Sequence, residues 1–190
     1  LFGVIGMMIS WRLKSKFQNY SQVPLRSNLS GQEIAEQMLR DHGIYDVQVI
    51  SVEGRLTDHY DPSKKTVNLS HDVYYGRNAA AAAVAAHECG HAVQHARAYA
   101  FLQFRSAMVP ALSVANGFMP ILLMIGMMIL YSTGSGTILA IGVALFAMAT
   151  LFSFVTLPVE FDASNRALKW IKEQGIVNSE EYVMSKDATG

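Results

Sequence analysis

The sequence is poor in charge and nearly without cysteine. Its single thiol, Cys89, excludes an intramolecular disulfide and gives no sign of an oxidising compartment. A small buried helix residue is the ordinary role for such a cysteine. Only 16% of the residues are charged and the net charge is zero. A nucleic-acid partner, which requires a concentrated basic face, is therefore not expected. The most informative absence is local. Residues 106–159 form 54 consecutive positions without Asp, Glu, Lys, Arg or His. A helical membrane span takes about 20 apolar residues, so this stretch is long enough for two, and the lipid bilayer is an expected partner.

The rest of the chain is organised around that stretch. Residues 1–11 are apolar and are followed by Arg12, Lys14 and Lys16. Eleven residues are too few for a span, and they read as the tail of a longer transmembrane segment. No small-x-small cleavage site precedes the basic cluster, which argues against a signal peptide. Residues 12–105 carry 11 of the 15 basic residues and read as a soluble domain. Within it, Ser30-x-x-Glu33 is a capping box opening an amphipathic helix that places Ile34, Ala35, Met38 and Leu39 on one face and stops at Gly43. Residues 44–52 are β-branched and partly alternating, as in a strand. Residues 56–60 and 66–69 flank the turn 61–65, predicting a hairpin. An alanine-rich segment, 78–99, follows with Asn78 as N-cap; alanine's intrinsic propensity alone makes it helical.

Residues 106–157 are expected to form a transmembrane hairpin, with spans at 108–131 and 137–157 and a short polar turn between them. That turn carries no positive charge. Both flanks of the pair do, through Arg97 and Arg105 before it and Arg166, Lys169 and Lys172 after it. The positive-inside rule then puts the turn outside and the soluble parts in the cytoplasm. Residues 158–190 turn polar again. Pro158 near the start, Glu160 and Asp162 in the first turn and Gly175 at the end predict a helix over 158–174. A further short helix is expected to open near Asn178 or Ser179.

The chemistry lies in His87-Glu88-x-x-His91 on the alanine-rich helix. At 3.6 residues per turn the two imidazoles sit about 40° apart on one face, close enough to chelate one ion. Glu88 lies about 100° round from His87, within reach of the open side of the metal without being a ligand. Zinc suits this donor set: it lowers the pKa of a water and polarises a carbonyl, while Glu88 as general base takes the water's proton and passes it to the leaving nitrogen. A catalytic site needs a third protein ligand and one open position. His95 is about 12 Å along the helix from His87, too distant to share the ion, and reads as a surface or supporting group. Glu160 is the better candidate, because the hairpin returns it to the side holding His91. A dipole-complementing acid in a first helical turn is the competing explanation for it. Asp58, His59, His71, Tyr74 and Tyr75 precede the motif helix and are candidates to line the cleft, with ordinary packing as the alternative. The strand at 66–69 is a candidate edge for holding an extended peptide. The methionines at 119–128 read as membrane packing rather than as metal ligands.

The chain resembles the YugP-type neutral zinc metallopeptidases of bacterial membranes over almost its whole length. The likeness rests on the basic-flanked first segment, Asn68-Leu69-Ser70, Ala86-His-Glu-Cys-Gly-His-Ala-Val-Gln94, the hydrophobic pair, and Leu157-Pro-Val-Glu-Phe-Asp-Ala-Ser-Asn-Arg-Ala167. That family continues past the present C-terminus into more apolar sequence. More distantly the chain is similar to the HtpX and CAAX-prenyl-protease gluzincins, whose third zinc ligand is the Glu of a Glu-x-x-Ala-Asp motif after a membrane hairpin. Glu160 and Ala163 match that motif, which implies Glu160 as the third metal ligand beside His87 and His91. Ser164 stands where the motif has Asp, so the supporting carboxylate is missing there. Asp162 points about 200° from that position on a helix and is not expected to replace it.

The expected protein is thus an α+β membrane enzyme, a zinc metallopeptidase with Glu88 catalytic and His87, His91 and Glu160 on Zn²⁺. Its substrates are expected to be peptide bonds of membrane or membrane-proximal proteins, cleaved at the cytoplasmic face of the bacterial inner membrane. One alternative is a non-proteolytic membrane interaction protein that keeps a structural zinc site. Another, suggested by the distant relatives, is a hydrolase of prenylated or lipid-linked substrates. Membrane-protein partners and oligomeric state are not legible in the sequence.

Overall fold

A computed structural model describes residue 15 and residues 18–176. The apolar segment at 1–11 and the expected final helix near Asn178 lie outside the described residues. Those described form two compact units. One runs up to Arg97 and resumes at Phe161; the other is Ala98–Glu160. The chain is mostly helical, with one small three-stranded sheet and two long apolar helices.

In the first unit, after helical residues at 18–21, comes α1, Gly31–Asp41. Ser30 accepts the Glu33 amide at 3.2 Å, and Glu33 accepts the Ser30 amide at 2.7 Å, so the capping box forms in both directions. Gly43, at φ +72°, ends the helix in the left-handed conformation that glycine adopts without steric cost. The apolar face, Ile34, Ala35, Met38 and Leu39, is buried. Each large side chain there contributes about 1.5–3 kcal/mol relative to exposure.

Strands β1 (Gln48–Val52), β2 (His59–Asp61) and β3 (Thr66–Ser70) form a sheet of order β1-β3-β2. β2 and β3 are the expected antiparallel hairpin, while β1 runs parallel to β3. β3 is thus the central strand, buried at every position, and both of its edges are paired. The strand at 66–69 therefore has no edge to offer a peptide; β1 and β2 are the edges. A short helix, α2 (His71–Tyr74), leads to α3, Ala79–Ala96. Asn78 caps α3 by accepting the Ala81 amide at 2.9 Å. Nearly all of α3 is buried, so it is a core helix enclosed on most sides rather than an amphipathic surface helix. Alanines make this possible, because neighbours approach closely on every side.

The second unit holds α4, Ala100–Thr133, and the first part of α5, Thr137–Glu173. Gly134, at φ +74°, turns the chain between them. The helices meet through small residues. A Cβ on Gly126 would lie 2.7 Å from the Leu139 amide, and one on Gly142 would lie 2.8 Å from the Leu123 side chain. In their most apolar 18-residue windows only 17% and 6% of residues are buried. A soluble core helix of that hydropathy would be mostly enclosed, so these are candidate membrane spans.

The helix expected to start at Pro158 is instead the end of α5, which passes through that proline without a break. Proline removes one backbone hydrogen bond and costs about 3 kcal/mol in a helix interior. Burial of Ala163, Ala167, Leu168, Trp170 and Ile171 just beyond it offsets that cost. Trp170 also donates its indole N–H to Asp41 at 2.9 Å, tying this segment to the end of α1. Glu160 consequently lies in mid-helix, and a first-turn dipole role does not account for it.

Candidate metal centre

The motif helix α3 presents His87 and His91 one turn apart, with ring centroids 4.9 Å apart and planes at 85°. Crossed rings of this kind let two ring nitrogens converge on one point. The potential ligand atoms of His87, His91 and Glu160 all lie within 4.8 Å of one another. The three residues implied as ligands in the sequence are brought together.

What holds the imidazoles was only partly legible. The Nδ1 of His87 is 3.1 Å from the Ser164 hydroxyl. The Nδ1 of His91 is 3.0 Å from Gln94 Oε1, while Gln94 Nε2 donates to Asp162 Oδ2 at 2.7 Å. Arg166 Nε donates to the same carboxylate oxygen at 2.6 Å. Because a carboxylate only accepts, Gln94 must turn its NH₂ toward Asp162 and its oxygen toward His91. His91 Nδ1 is then the protonated nitrogen, and Nε2 is the atom that would bind a metal. This is how metal-bound histidines are usually oriented, through a partner on the other nitrogen. Asp162, which helix geometry alone set aside, thus acts on His91 through Gln94. Ser164, in the place of the motif's acid, is the partner of His87.

Two features let α5 come this close. Gly90 sits between the histidines, and a Cβ there would lie 2.6 Å from the Ala163 carbonyl oxygen. Only a glycine permits that approach, which brings Ser164 to His87. Glu160 lies one turn before Ser164 on the same helix, hence on the same face. Its Oε1 is 3.4 Å from Arg105 Nη2.

Glu88 is buried and accepts the Tyr60 amide on Oε2 at 3.0 Å. Tyr60 lies on the edge strand β2, and its phenol oxygen is 2.7 Å from His95 Nδ1. Burial, then the charges of Asp46 and Asp61, push the Tyr60 phenol up to about 12. The other cleft candidates make local contacts. Asp58 accepts the amide and hydroxyl of Ser70 at 2.7 and 3.0 Å. His59 Nδ1 meets the Thr57 carbonyl. His71, Tyr74 and Tyr75 form a ring cluster with centroids 4.7 and 4.8 Å apart.

Gly90, Gln94 and Tyr60 were missed in the sequence reading. Two of them leave a signal there. A glycine inside an alanine helix costs about 1 kcal/mol and asks for a packing reason. A glutamine one turn past a metal-ligand pair is a candidate partner for a ring nitrogen.

A family model described as "Putative neutral zinc metallopeptidase" matches residues 1–189. The chain belongs to that family. It is 43% identical over 183 residues to "Putative membrane protease YugP" of Bacillus subtilis (strain 168), covering 96% of this chain and 80% of that protein. No solved structure matches it. Zinc is the metal of the family, and the two imidazoles and one carboxylate gathered here fit it, because they are the nitrogen and oxygen donors that zinc takes.

Proposed function

We propose that the protein is a membrane-embedded zinc metallopeptidase of the gluzincin type that hydrolyses peptide bonds of membrane or membrane-proximal proteins. The observation that carries this reading is the convergence of His87, His91 and Glu160 beside a buried Glu88. Among the described residues the group offers three side-chain ligands, which favours an open catalytic position over a closed structural site.

His87, His91 and Glu160 would hold the ion. Zinc supplies a water acidic enough to deprotonate near neutral pH and a Lewis acid for the scissile carbonyl. The chain's own groups do the rest. Ser164 and Gln94 orient the two imidazoles. Glu88 keeps one oxygen on the Tyr60 amide and uses the other to accept a proton from water, then delivers it to the leaving nitrogen.

The two apolar helices support residence in the membrane. The charge distribution supports a multi-pass topology in the bacterial inner membrane with the site facing the cytoplasm: the turn at 134–136 is uncharged, while Arg97, Arg105, Arg166, Lys169 and Lys172 flank the pair. The test is Glu88→Gln, assayed on labelled casein and by proteomics of membrane proteins that accumulate in cells carrying the variant. Zinc content at the wild-type level with turnover abolished is expected. Proteolysis at the wild-type rate would overturn the mechanism.

A further inference from the structure

Tyr60 makes two bonds to one face of α3. Its amide donates to Glu88 Oε2 at 3.0 Å, and its phenol meets His95 Nδ1 at 2.7 Å. Glu88 and His95 are seven residues apart, two turns of one helix, so they share a face about 10 Å long. Tyr60 spans that distance with its backbone at one end and its side chain at the other. The rings of Tyr60 and His95 lie 5.8 Å apart at 52°, a tilted contact that supplements the hydrogen bond.

The attachment matters because of where Tyr60 sits. β2 is three residues long and lies at the sheet edge, paired among the described residues only with β3. A strand this short is weakly held by its ladder alone. Yet its central amide is the donor that fixes one oxygen of a buried carboxylate. If β2 drifts, the Tyr60 amide leaves that oxygen, and a displacement of about 1 Å in catalytic geometry can cost up to about a hundredfold in rate.

Resting on the peptidase reading above, we infer that Tyr60 is a positioning residue for the general base Glu88, and that His95 is the anchor holding Tyr60 in place. His95 is thereby given a use although it is too far along the helix to be a ligand. The phenol, pushed up to about 12 chiefly by burial, stays protonated and is able to pair with His95 Nδ1 as donor or acceptor.

The test uses the full chain in detergent, zinc-loaded, with Tyr60→Phe, His95→Phe and His95→Gln variants. Hydrogen exchange of the residue 60 amide is one readout, and kcat and KM on labelled casein are the other. Tyr60→Phe and His95→Phe are expected to speed exchange at residue 60 at least tenfold while α1 amides stay protected. The same variants should lower kcat about tenfold with zinc content and KM unchanged. His95→Gln, which keeps an acceptor, should recover most of both. Wild-type exchange at residue 60 in Tyr60→Phe would overturn the tether. Faster exchange with an unchanged kcat would overturn the positioning role. Wild-type turnover in Glu88→Gln would instead sink the peptidase mechanism, and the role toward a general base would fall with it while the exchange result still stood.

Discussion

Gln94 is fully buried, and its amide nitrogen lies 2.7 Å from Asp162 Oδ2. That one bond decides which way the glutamine faces, and through it which nitrogen of His91 carries a proton. A neutral side chain on one helix thereby transmits the charge of an acid on another.

The first prediction follows from that chain of bonds. Gln94→Met keeps the volume and removes the bonds from residue 94 to His91 and Asp162, while Asp162 keeps Arg166. Loss of such a partner typically costs 10–100-fold in metal affinity. Chelator competition on the full chain should show a drop in that range, with helix content unchanged. Affinity equal to wild type would mean that His91 is oriented by something else.

Gly90→Ala tests the close approach of α5. The added methyl would sit 2.6 Å from a backbone carbonyl, which cannot swing aside as a side chain could. Overpacking of this kind costs about 1–3 kcal/mol. The more specific expectation is that the turn carrying Ser164 moves off His87, so that zinc affinity falls more than that of a destabilised control such as Ser30→Ala. Ser30→Ala removes a cap from α1, a helix that carries none of the three candidate ligands, and should cost about 1 kcal/mol.

Much of this was legible before any coordinates. The capping box, the Asn78 cap, the hairpin and the two apolar helices each follow from local chemistry, and each is present. His87 and His91 are readable because helical spacing is enough to place both on one face. Glu160 needed the resemblance, since nothing local says that α5 returns to α3. The rest was illegible for a related reason. Gln94 meets Asp162 across 68 residues, and Tyr60 reaches Glu88 across 28. Sequence spacing cannot specify such pairs; only the packed core brings them together. Pro158 misled because a proline is read as a helix start, whereas here burial of the residues beyond it outweighs the lost bond.

Cys89 is fully buried among α1 and α3, and burial followed by the nearby charge of Glu88 pushes its thiol well above the usual range. The thiolate that reacts with alkylating reagents is therefore suppressed. The folded protein should resist iodoacetamide and react only after denaturation, as read by intact mass. This gives a clean background for testing topology. A single cysteine placed at Ser135, in the exposed turn between the apolar helices, should be labelled by an impermeant maleimide from outside intact cells. Labelling only after lysis would reverse the proposed orientation.

Ser164 offers the sharpest test of how the site is supported. Its hydroxyl is 3.1 Å from His87 Nδ1, at the position where the similar Glu-x-x-Ala-Asp motif carries an acid. A hydroxyl orients the ring but adds no charge. Ser164→Asp would supply a carboxylate acceptor, whose charge-assisted bond strengthens the imidazole as a ligand. Ser164→Ala would supply nothing. Zinc affinity is therefore expected to rank Asp above Ser above Ala, with about tenfold between neighbours. The metal-free proteins should rank differently. Ser164 is nearly enclosed, so a carboxylate there without a metal-bound partner costs about 1–3 kcal/mol in desolvation. Ser164→Asp should then melt below wild type without zinc and regain stability disproportionately when zinc is added. A zinc-independent melting difference would mean that residue 164 acts on packing alone, and equal affinities for Ser and Ala would remove it from the support of His87.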